Sequence, residues 1–224
     1  MREAYQSDLR HLVDDLVDMA SMVETALKDS TAALLESDLA LAERVIAADQ
    51  HIDQRQLDLD EKIVELLARQ SPVATDLRLL VASLRMSSSL ERMGDLCEHV
   101  ALVARRSHPA SAVPEQHRAQ IAKMAELGGT AIREAATVIA ERDLALAARV
   151  EKNDDEIDAL LLEISREISR GEGYENSEVI DLTLLIRFYE RLGDHAVSLV
   201  RRVGFLVTGD SLDTLSSKTD VEEF

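Results

Sequence analysis

Asp38-Leu39-Ala40-Leu41-Ala42 and Asp143-Leu144-Ala145-Leu146-Ala147 are the same five residues met twice, 105 positions apart. The same interval carries Arg44-Val45 onto Arg149-Val150, Asp49 onto Asp154 and Ile52-Asp53 onto Ile157-Asp158. Upstream it carries Met19 onto Met124 and Thr25-Ala26 onto Thr130-Ala131. Further on, Glu91-Arg92-Met93-Gly94-Asp95 returns as Glu190-Arg191-Leu192-Gly193-Asp194, now 99 positions later, so the second copy is six residues shorter between these blocks. A repeat whose single length change falls in a connection is the mark of an internal duplication.

Each copy reads as three helices. Breaks fall at Ser37-Asp38, Ser71-Pro72 to Thr75, His108-Pro109 to Pro114, Arg142-Asp143 and Gly171-Glu172-Gly173. They leave helices near 3–36, 38–70, 75–106, 115–141, 143–170 and 175–207. Asp38, Thr75 and Asp143 are the expected N-caps, because their side-chain oxygens can accept from the free amides of a first helical turn. Only 8 Gly and 3 Pro occur, and aromatics are 3%, so Leu, Ile, Val, Ala and Met must build the core. The expected fold is all-α, a tandem pair of antiparallel three-helix bundles. The first bundle spans 1–108, a polar linker 109–115 and the second bundle 116–208. Residues 209–224, polar and acidic, read as a disordered tail.

The formal net charge of −18 disfavours nucleic acid and anionic lipid, and no local basic patch or basic phosphate site stands out in the sequence. No apolar run is long enough to span a membrane, and the charged N-terminus lacks the apolar segment of a signal peptide. Cys97 is the only cysteine, which fits a reducing compartment. A cytoplasmic protein with no direct membrane insertion is expected.

The apolar seam of the second helix runs Val45, Asp49, Ile52, Gln56, Leu59, Ile63, Leu66, in steps of three and four. Asp49 therefore occupies a core position. Asp154 does the same in the seam Val150, Asp154, Ile157, Leu161, Ile164, Ile168. A carboxylate in an apolar seam costs several kcal/mol unless it is neutral, paired or metal-bound. Each has a second acid on its own face four residues on, Asp53 and Asp158, and the third helices repeat the spacing with Glu91/Asp95 and Glu190/Asp194. Gly94 and Gly193 lie inside those last pairs, where a mid-helix glycine costs about 1 kcal/mol relative to Ala unless close approach requires it.

Hairpin register brings the acids together. In the first copy the two pairs are equidistant from Pro72, and in the second from Tyr174, both inside the predicted turns. Four carboxylates thus converge at one height in each hairpin, the arrangement of bundle metal sites. The candidate ligands are Asp49, Asp53, Glu91 and Asp95, and Asp154, Asp158, Glu190 and Asp194. Oxygen donors suit Mg, Mn or Ca, and Fe or Zn also accept carboxylates, so divalent and trivalent ions both fit. The alternative is that Arg44, Arg149, Arg92 or Arg191 neutralises the acids without metal. His51, His99 and His195 do not repeat and read as surface or supporting residues, and Cys97 as a small core residue.

These motifs, in this order, resemble the PhoU family of phosphate-uptake regulators over roughly residues 3–207. Further similarity lies in Gln70-Ser71-Pro72-Val73-Ala74-Thr75-Asp76-Leu77-Arg78 and in Glu190-Arg191-Leu192-Gly193-Asp194-His195-Ala196. The resemblance implies a negative regulator of the phosphate-starvation response. It would link the ATPase subunit of a Pst-type phosphate transporter to a membrane sensor histidine kinase. It also implies metal ions on the acidic motifs and a homodimer. Two departures weaken equivalence of the copies: Glu175-Asn176-Ser177-Glu178 where the first copy has Asp76-Leu77-Arg78, and Leu96-Cys97-Glu98 where the second has His195-Ala196.

No catalytic residue or organic-cofactor site is expected. A carboxylate-bridged oxidase would need Glu-x-x-His pairs, and none occurs. A metallohydrolase and a metal-free helical scaffold are the competing readings.

Overall fold

The computed structural model describes residues 2–171 and 173–209; of the sequence expectations, the disordered tail lies outside this range from residue 210 onward. Six long helices follow one another: α1 (Arg2–Glu36), α2 (Leu39–Gln70), α3 (Ala74–Ser107), α4 (Arg118–Glu141), α5 (Leu144–Ser169) and α6 (Asn176–Thr208). A single 3-10 turn, Glu115–His117, precedes α4. Among the described residues there is no strand, and no helix is long and apolar enough to cross a membrane.

Asp38 and Asp143 cap α2 and α5 as expected, accepting from the amides of Leu41 at 2.9 Å and of Ala145 and Leu146 at 2.9 and 3.0 Å. Thr75 does not cap α3. The helix begins one residue earlier, after an extended Val73 that offers no side-chain cap. Ser71 and Ala74, both left-handed at φ 43° and 49°, fold the chain back so tightly around Pro72 that Thr75 is already helical. Its hydroxyl instead accepts from Arg78 Nη2 at 3.3 Å. In the second copy Glu175 takes the capping role, reciprocated by Glu178, whose carboxylate accepts from the Glu175 amide at 2.9 Å.

The connection 109–115 is not a polar linker. Ala112 and Val113 are buried, and so is His117 just beyond. His117 bonds the Gln120 side chain and the Tyr174 hydroxyl, each at 2.7 Å, fastening the start of α4 to the α5–α6 turn.

In each copy the three helices pack on one another, and α1, α3, α4 and α6 also pack across the two copies, leaving α2 and α5 on the flanks. The apolar side chains form one continuous core. At its centre Thr31 and Tyr189, one from each copy, share a buried hydroxyl–hydroxyl bond of 2.9 Å. The duplication therefore gives two sequence units and a single interior.

Candidate metal centre

α2 and α3 run antiparallel with Asp49 and Ile52 against Gly94. A Cβ on Gly94 would stand 3.0 Å from Asp49 Oδ1 and 3.1 Å from the Ile52 side chain. α5 and α6 repeat this, with a Cβ on Gly193 meeting Ile157 Cδ1 at 3.0 Å and Asp154 Oδ1 closer still. The glycines are needed because each seam aspartate occupies the space a side chain would take. The register expected from Pro72 and Tyr174 is the register observed.

Asp49 and Asp154 are partly buried, between the apolar contacts of Val45 and Ile52 and of Val150 and Ile157. Asp53 and Asp158 face solvent beside them, and Glu91, Asp95 and Glu190 are partly buried while Asp194 is exposed. In the first copy Asp49, Asp53 and Asp95 each offer a carboxylate oxygen within 4.8 Å of the others. Among the described residues the second copy brings no three acids that close.

The electrostatics are those of crowded anions. Burial, then Asp53 and the neighbouring acids, push the Asp49 carboxyl up to about 7. Burial, then Asp158, Asp194 and Glu190, do the same to Asp154, also up to about 7. Glu91, Glu190 and Asp158 are raised as well, first by burial and next by the adjacent aspartates.

Salt bridging accounts for only part of this charge. Arg92 reaches Glu91 at 3.6 Å and Asp95 at 3.2 Å, and Arg187 bonds Glu190 at 2.7 Å. Arg149 turns away to Glu134 at 3.2 Å. Asp49, Asp53, Asp154, Asp158 and Asp194 have no ion pair or hydrogen bond from their carboxylates among the described residues. One oxygen of Glu190, Oε2, is buried without a partner. Oxygen donors in excess of cations, aimed at one another, fit a hard metal ion.

Two features escaped the sequence. Glu98 is a further acid acting on Asp49, and with it lines a cleft of about 430 Å³ between α1 and α2. Its counterpart in the second copy is Val197; the sequence marks Glu98 only as a departure between the copies and not as a candidate ligand, although its spacing of three from Asp95 puts it on the same helix face. The equivalent cleft beside Asp154 shrinks to about 30 Å³, where Asn153 and Glu134 replace Ala48 and Asp29. The histidines stay outside the acid clusters: His51 bonds the Ala48 carbonyl at 3.1 Å and His99 packs on Phe188.

Because both seam aspartates bind a proton more tightly folded than unfolded, the stability they contribute is complete below about pH 4. It is lost as pH rises through about 7. Allowing for their partial exposure, this is roughly 1–2 kcal/mol for the pair. Metal-free protein is expected to melt several degrees higher at pH 5.5 than at pH 8. Thermal melts of an Asp49→Asn/Asp154→Asn variant should show that difference reduced; an unchanged difference would assign it to other groups.

The family model for the PhoU domain matches residues 16–104 and again 121–203. The chain belongs to the PhoU family. Each match covers one sequence copy. The chain is 38% identical to the phosphate-specific transport system accessory protein PhoU homolog 2 of Mycobacterium tuberculosis, over 93% of this chain and 99% of that protein. It is 39% identical to PhoU homolog 1 of Mycobacterium leprae, over 93% and 95%. The crystal structure of PhoU from Pseudomonas aeruginosa superposes with a TM-score of 0.85 at 28% identity, covering 92% of this chain and all of that one. PhoU from Streptococcus pneumoniae, at 22% identity and a TM-score of 0.83 over 92% and 98%, shares the fold. The mycobacterial relatives are named as accessory proteins of phosphate-specific transport and the Streptococcus pneumoniae protein as a phosphate transport system regulatory protein; none is named as an enzyme.

Proposed function

We propose that this PhoU-family chain is a cytoplasmic regulator of phosphate uptake that holds metal ions on its paired carboxylates. It acts as a negative regulator of the phosphate-starvation response. Its partners are the ATPase subunit of a phosphate transporter and a membrane sensor histidine kinase, and it works as a homodimer. The transport role follows the names of relatives that match nearly end to end. The metal reading is carried by one observation: each copy seats an aspartate against a glycine in the apolar seam and surrounds it with acids rather than cations.

Asp49, Asp53, Glu91 and Asp95 would hold the first ion or ions, and Asp154, Asp158, Glu190 and Asp194 the second. Bound metal would neutralise the acids that otherwise repel across each hairpin, tying α2 to α3 and α5 to α6. The lone acid Glu98 and the wider cleft favour tighter or more numerous ions in the first copy.

The test pairs elemental analysis with gene expression. Asp49→Asn/Asp53→Asn/Glu91→Gln/Asp95→Asn is expected to lose about half the bound metal. Cells carrying it should express phosphate-scavenging genes in rich phosphate. Wild-type metal content would remove the metal site, and wild-type repression would remove its regulatory role.

A further inference from the structure

α3 and α6 cross between the copies in one antiparallel register. The Arg106 guanidinium bonds Asp181, the His99 ring packs at a tilt on Phe188 with centroids 5.3 Å apart, and the Arg78 guanidinium lies where a Cβ on Gly209 would meet Nη1 at 3.2 Å. From the first contact to the second, the step is seven residues down α3 and seven up α6. Two intermediate rungs at the same step join these to the third. They set Arg92 opposite His195 and Arg85 opposite Arg202. Successive rungs are about 10.5 Å apart along the helices.

The first of these rungs is compensated and the other is not. Arg92 pairs with Glu91 and Asp95 on its own helix. Arg85 and Arg202 have no ion pair or hydrogen bond among the described residues, and Arg202 Nε is buried without an acceptor. Burial, and then the Arg85 charge, hold the Arg202 guanidinium below its usual range. Next along the row is Arg78, whose Nε is likewise buried without a partner. In a chain of net charge −18, Arg85 and Arg202 thus face each other with no acid paired to either among the described residues, and Arg78 follows one rung on. The duplicated positions of Arg85 and Arg202 are Leu184 and Val103, so the charge belongs to one end of the seam alone.

We propose that Arg85 and Arg202, with Arg78 one rung farther along, form a binding site for a tetrahedral oxyanion of the phosphate type. Forked guanidinium donors match the oxygens of such an anion, and a doubly charged ligand relieves the repulsion between facing arginines. The site is separate from the carboxylate pairs and does not depend on their metal. It would place a basic anion site where the sequence by itself shows none. Arg85 and Arg202 lie on two helices and more than 100 residues apart, so no basic run marks them in the sequence.

The experiment is calorimetric titration of purified full-length protein with inorganic phosphate at constant ionic strength, against chloride. A parallel arm measures co-sedimentation with phosphatidylcholine vesicles with and without phosphatidylglycerol. Saturable phosphate binding, weakened at least tenfold by Arg85→Gln or Arg202→Gln and unchanged by Arg69→Gln, supports the site with free phosphate as ligand. Vesicle binding that needs phosphatidylglycerol and the same two arginines supports it with a headgroup as ligand. Thermal melts add a readout in variants that fold: phosphate should raise the wild-type midpoint and leave that of Arg85→Gln/Arg202→Gln unmoved. Absence of binding in both arms, or equal binding by the double variant, overturns the site.

Discussion

Metal-free protein at pH 7.5 is expected to melt roughly 5–10 °C higher when Mn or Mg is added at about one hundred times its dissociation constant. A ligand at that level stabilises by about 2.7 kcal/mol at one site, and a protein of this size gains about 2–4 °C per kcal/mol. The gain arises from carboxylates that repel in the folded state, and so it grows with pH as Asp49 and Asp154 ionise through about 7. Asp49→Asn/Asp154→Asn removes a ligand from each copy and part of that repulsion together. Its metal-free melting point should exceed that of the wild type at pH 8, while most of the response to metal disappears. Scanning calorimetry with and without chelator decides the matter. A wild-type midpoint indifferent to Mg, Mn, Fe and Zn alike would leave the acids as unpaired charges tolerated by the fold.

Replacing Gly193 by Leu is expected to cost about 3 kcal/mol, and Gly94 by Leu less. Overpacking a filled contact costs about 1–3 kcal/mol, occasionally more. At Gly193 even the first added carbon would overlap Asp154 Oδ1 and press on Ile157 Cδ1 at 3.0 Å, beside a cleft of only about 30 Å³. At Gly94 the neighbours are slightly farther, and the adjoining cleft of about 430 Å³ can take a displaced Asp49. Gly193→Ala is the subtler case. It gains about 1 kcal/mol of helix propensity but drives Asp154 out of its seat, which should empty the second metal site without altering a ligand. Urea midpoints measure the stability and elemental analysis the metal. A Gly193→Leu protein that unfolds at the wild-type urea concentration would mean that the helices are not held this close.

The backbone plan was legible because helix seams and aspartate caps are local signals. Asp38 and Asp143 announced their helices, and the apolar steps from Val45 to Leu66 gave α2 its buried face. The acid clusters were legible for a second reason, that hairpin register is fixed by the length between turn and site. Thr75 misled because left-handed Ala74 started α3 early, a choice made by the turn rather than by the capping residue. Ala112 and Val113 were read as linker because two small apolar residues have no periodicity of their own; only the groove that receives them makes them core. Glu98 stood out as a departure between the copies but was left out of the ligands, because only acids that repeat in both copies were counted. The Arg85–Arg202 rung required knowing that α3 meets α6, a contact between copies that neither copy's own pattern contains.

That contact bears on how the chain arose. α1 against α4 and α3 against α6 are equivalent helices of the two copies packed on each other, so a single three-helix unit would leave the apolar faces buried there bare unless it met its own twin. The present chain carries both partners fused in one polypeptide. Fusion releases the two sides from the obligation to stay identical, and Leu184 and Val103 at one end of the seam against Arg85 and Arg202 at the other is the kind of difference that identical twins could never have acquired.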